Sequence, residues 1–79
     1  MSDDLREALA AYAHKAWAGW LKYMFSRGII IDGKLILPPE STKRWLRQMS
    51  TEYKDLPEDE KRSDRAEADR ILDIVRGKL

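Results

Sequence analysis

Between Gly28 and Pro38 the chain changes period, and that change limits what it can become. The run Gly28-Ile-Ile-Ile-Asp-Gly-Lys-Leu-Ile-Leu37 holds two β-rich segments around Asp32-Gly33. Asp-Gly is a strong signal for a two-residue hairpin, because the tight turn that matches strand twist needs a positive φ at both central residues. Pro38-Pro39 stops the second segment. An isolated hairpin is marginal in water, so this one must pack on its flanks. Those flanks read as helices. The expected fold is mainly α: one compact three-helix domain over residues 1–79, with a small β-hairpin between the first and second helices.

The first helix is expected over residues 3–27. Ser2 or Asp3 can accept hydrogen bonds from its free N–H groups, and Asp4 and Glu7 suit its positive end. Leu5, Leu9, Tyr12, Ala16, Trp20 and Tyr23 recur at steps of three and four, widened by Ala8, Ala13, Trp17 and Met24. Gly28 stands where a left-handed residue would end the helix. The second helix is expected from Pro39 or Ser41 to about Ser50, with Trp45, Leu46 and Met49 inward and Lys43, Arg44 and Arg47 outward. Thr51 to Lys54 reads as a connection. Asp55-Leu-Pro-Glu58 has capping-box spacing, which starts the third helix at Asp55. Its stripe is Ala68, Ile71, Leu72, Val75 and Leu79, and Arg76-Gly77 marks its end.

A chain of 79 residues buries only about 60–65% of its unfolded surface, so its stability margin is small. It has no cysteine and one histidine, which removes thiolate metal sites and fits a reducing compartment. Fifteen basic residues against fourteen acidic ones give +1, so no global field favours nucleic acid. Residues 28–50 are locally +2, and residues 51–79, with nine acids against seven bases, are locally −2. No stretch approaches eighteen apolar residues and no leader is visible, so the chain reads as soluble and cytosolic, with no membrane partner.

Three places could carry chemistry. Steps of three and four back from Leu72 reach Ala68, then Asp64 or Arg65, then Lys61, then Pro57. The core-facing stripe thus turns charged, and charges there must be paired or open to a ligand. Asp64 either pairs to fix packing or faces a ligand. The tryptophans sit at helical core spacing, but Trp17 or Trp45 could also form a wall on which a base stacks. His14 reads as a structural hydrogen-bonding residue. No nucleophile–base motif, HExxH, phosphate loop or ligand cluster is present, so no enzyme, metal or cofactor is expected. The basic run Ser41–Gln48 has too few cations for nucleic acid and reads as a solvated face.

Tyr53-Lys-Asp-Leu-Pro-Glu-Asp-Glu-Lys61, followed by Asp64-Arg65, resembles the signature Y-x-x-L-P-x-x-E-K-x-x-D-R of the RyR domain. That domain is the small repeat of ryanodine receptors, which also occurs singly in bacteria and phages. His14 and Trp17 match the family's H-x-x-W, whereas Phe25-Ser-Arg-Gly28 stands where G-W-x-Y-G is usual. The order W-x-x-W, hairpin, W-x-x-Q-M and signature is also similar to short phage and prophage proteins. The resemblance implies a compact helical domain with a small β element that binds a nucleotide-like ligand. Its concrete form would be a phage sponge for nucleotide second messengers of bacterial immunity, in the host cytosol. In that expectation Lys61 and Arg65 meet phosphates, Asp64 takes ribose hydroxyls or orients Arg65, and Trp17, Trp45 or Tyr53 stacks on the base. The other reading is a protein–protein interaction or homo-oligomerisation module, motivated by the broad apolar stripe of the first helix.

Overall fold

The structure, a computed structural model, describes residues 2–77 and, for Ser2, the backbone alone. Its elements are α1 (Ser2–Ser26), β1 (Ile29–Ile31), β2 (Lys34–Ile36), α2 (Pro39–Met49), a 3-10 turn (Tyr53–Asp55) and α3 (Glu58–Val75). The expected class, helical with a hairpin between the first two helices, is the one observed. The chain divides into two compact units, Met1–Trp17 with Pro57–Leu79, and Ala18–Leu56.

The unit Ala18–Leu56 is built around the hairpin. Ile29 pairs with Ile36, Ile30 with Leu35 and Ile31 with Lys34, all antiparallel. Asp32 at φ 51° and Gly33 at φ 71° give the turn the two left-handed residues that Asp-Gly predicts. Gly28 corrects the sequence reading, because the left-handed glycines are Gly33 and Gly77. Gly28 serves a close approach instead: a Cβ there would lie 2.5 Å from the Ile36 carbonyl oxygen and 2.9 Å from Leu37 Cδ2.

In α2 the Pro38 carbonyl accepts from the N–H groups of Ser41 (3.0 Å) and Thr42 (3.2 Å). At its other end Ser50 Oγ donates to the Leu46 carbonyl (2.8 Å), which also accepts from the Ser50 N–H, and Thr51 Oγ1 donates to the Arg47 carbonyl (2.6 Å) near the open end of the helix. Trp45 is half-buried, but Leu46 is exposed and Met49 is 78% exposed, against the expectation that all three point inward. Lys43, Arg44 and Arg47 are exposed as expected.

The third helix begins at Glu58 rather than Asp55. Leu56 precedes a proline and is extended at ψ 151°, as is Pro57 at ψ 155°, which interrupts the helix there. Asp55 ends the 3-10 turn, and no side chain caps α3. The Pro57 carbonyl accepts from the N–H groups of Glu60 and Lys61. In the unit Met1–Trp17 with Pro57–Leu79, the Tyr12 hydroxyl of α1 donates to Glu67 of α3, whose other oxygen accepts from Arg70. Gly77 at φ 72° follows the end of α3. The expected cap at Ser2 and the stripe position at Leu79 lie outside the described residues.

Burial departs most from expectation. Among the described residues no apolar side chain is buried, and Ser41 is the buried residue. Ala68, Ile71, Leu72 and Val75 are exposed, while Leu9, Ala16 and Ile74 are half-buried. No described helix is long and apolar enough to cross a membrane.

Candidate functional site

Residues 58, 61 and 65 of α3 fall at steps of three and four, so they share one face of the helix. Arg65 Nη1 donates to Glu58 Oε1 at 3.0 Å, and Lys61 Nζ lies 4.0 Å from Glu58 Oε2. One carboxylate therefore holds two cations. The Arg65 hydrogen bond, then the Arg65 charge, hold Glu58 below its ordinary value; desolvation opposes them less strongly, and Lys61 and Arg62 add smaller downward pulls. Lys61 is the most enclosed of the three, with its side chain 19% exposed.

The sequence placed Asp64, Arg65 and Pro57 on a core-facing stripe, and the structure leaves all three exposed. The charged continuation of α3 is a solvated face, with Lys61 as its half-buried member. Asp64, which the sequence left between a packing pair and a ligand contact, is exposed.

The aromatic candidates separate. Trp45 lies in the unit Ala18–Leu56, its ring 5.4 Å from that of Trp20 and 6.2 Å from that of Tyr23 in an edge-on geometry. Trp20 and Tyr23 are three apart on α1, so the α2 indole meets one helical face, at about 0.5–1.5 kcal/mol per ring pair beyond area burial. Tyr53 lies on the 3-10 turn and is exposed. Trp17 belongs to the other unit. It is 61% exposed and tilted against His14 at 5.9 Å.

Of the six expected residues, the structure thus joins Lys61 and Arg65 through Glu58, and joins Trp45 to two aromatics that were not singled out for the site. Sequence reasoning missed Glu58 as the shared partner, although its spacing to Lys61 and Arg65 announces it. It also missed the Tyr12–Glu67 bridge, for which neither residue gives a local signal. An open groove of about 480 Å³ runs beside Leu5, Ala8, Tyr12, Lys15 and Ile74, and none of the six lines it. Among the described residues no group of three or more His, Asp or Glu is placed to hold a metal.

Chemically, the α3 face can exchange its carboxylate for another anion. Compared with known protein families, curated proteins and solved structures, the chain gives no match.

Proposed function

We propose that the chain is a non-enzymatic homo-oligomerisation module, which completes its apolar interior by association with further copies of itself. One observation carries this reading: no apolar side chain among the described residues is buried, while fifteen large ones are exposed. A net charge of +1 opposes self-association little. Light scattering of the purified protein tests the reading. A mass that is a multiple of 9.2 kDa is expected, and a strict monomer across the accessible concentration range would remove it.

A second reading is favoured by the α3 face. Two cations on one exposed carboxylate are a site that a phosphate can take over, which suits a nucleotide-like ligand and the sponge role that the signature resembles. A thermal-shift screen against mono-, di- and cyclic nucleotides and ADP-ribose derivatives tests it. A ligand at 100 times its dissociation constant adds about 2.7 kcal/mol, and Arg65→Ala should abolish that shift. A flat screen would leave assembly as the function.

A further inference from the structure

We infer that copies of the chain join through the outer edge of β1, pairing antiparallel about a two-fold axis at Ile30 to form a four-stranded sheet. This rests on the self-association reading and names the element that carries it.

The hairpin is a two-stranded sheet, so each strand has one edge that the other does not pair. A two-residue turn closes on a hydrogen-bonded pair, here Ile31 and Lys34, and pair types alternate along the ladder. Ile30 and Leu35 are therefore the non-hydrogen-bonded pair, and their N–H and C=O groups point away from the hairpin. Ile30 is 63% exposed and Ile29 is 60% exposed, so apolar side chains flank the outward groups of β1.

The two edges differ. β2 carries Lys34, the kind of edge charge that blocks strand addition, and is followed by Pro38-Pro39. β1 is Ile-Ile-Ile, with no charge and no proline. A strand of this kind with an open edge is a template for another strand.

The occupant that fits is a second β1. Ile29-Ile30-Ile31 reads the same in both directions, so a two-fold axis at Ile30 sets each residue against an equal. Ile30 then donates its N–H to, and accepts with its C=O from, the partner's Ile30, using the two groups that point outward. Ile29 comes opposite the partner's Ile31. Ile29, Ile31 and Ile36 share one side of the hairpin with Lys34 by strand alternation and register, and the pairing joins this side to its copy with the isoleucines of β1 at the centre and the two Lys34 side chains at the outer strands.

The chain has no cysteine, so single cysteines report the geometry directly. In a hydrogen-bonded antiparallel pair the Cα atoms lie about 5.5 Å apart, within disulfide reach. In the sheet order β2-β1-β1-β2 the two copies of Leu35 are about 14 Å apart, three strand spacings, and cannot be bridged. On mild oxidation Ile30→Cys should cross-link at least about tenfold faster than Leu35→Cys. Ile30→Pro removes the outward N–H and leaves the ladder bonds at Ile29 and Ile31, so it should weaken association at least about tenfold. If the wild type is an oligomer but Ile30→Cys gains no preference and Ile30→Pro leaves its mass unchanged, the edge pairing is overturned and self-association stands. A monomeric wild type overturns both.

Discussion

At the scale of single residues, Glu58 is where charge and structure are most tightly tied. It sits in the first turn of α3 with Asp59 and Glu60, where the helix dipole favours acids, and it also holds Lys61 and Arg65. Its folded-state pKa is depressed, chiefly by Arg65. The stabilisation it gives is therefore fully present above the unfolded carboxylate pKa and is lost as pH falls through the lower folded value. Glu58→Gln should lower the melting temperature at neutral pH, and the gap to wild type should narrow by about pH 3, below the ordinary carboxylate pKa. Paired melting curves at the two pH values check this. A gap of equal size at both would mean that the glutamate acts by packing and not by charge. The pairing also bears on ligand binding, because a phosphate that takes the Nη1 donor of Arg65 competes with Glu58 for it.

At the scale of elements, the junction between α1 and the hairpin is a close approach of backbone to backbone. Gly28→Ala would push a methyl to within 2.5 Å of the Ile36 carbonyl, a backbone atom that cannot step aside cheaply. A destabilisation of about 1–3 kcal/mol is expected, or roughly 4–8 °C in melting temperature per kcal/mol. Gly19→Ala is its control. That glycine lies in α1 with nothing within 4 Å of the added Cβ, so the change should stabilise by up to about 1 kcal/mol. Equal effects at the two sites would show that helix propensity, and not the close approach, governs Gly28. The hairpin itself was legible because its signal is local: Asp32-Gly33 satisfies a backbone requirement that few dipeptides meet. The role of Gly28 was not, because the atoms it avoids are those of residues 35–37 and a sequence does not show contact. The start of α3 was misplaced by three residues because Asp55 and Glu58 fit a capping box, whereas the Leu56-Pro57 step forces extended backbone between them. In the site, spacing was enough to put Lys61 and Arg65 on one face. It said nothing of how exposed that face would be.

At the scale of the whole molecule, the same limit applies to the apolar stripes. Periodicity tells which side of a helix is apolar and not whether anything covers it. Trp17, Leu46 and Met49 have the spacing of core residues and lie in the open. If further copies supply the missing cover, folding and association are one equilibrium, and stability must depend on how much protein is present. For a two-chain complex, a hundredfold increase in concentration adds about 2.7 kcal/mol per complex. Shared between two chains of this size, that raises the melting temperature by roughly 5–10 °C. A monomer that folds alone shows no such rise. Melting curves from micromolar to near-millimolar protein separate the two without any substitution. A constant melting temperature would require the exposed side chains to be tolerated by each chain alone. A rising one would make the oligomer the folded state, so that substitutions of exposed apolar residues such as Ile30 should be read as changes in assembly.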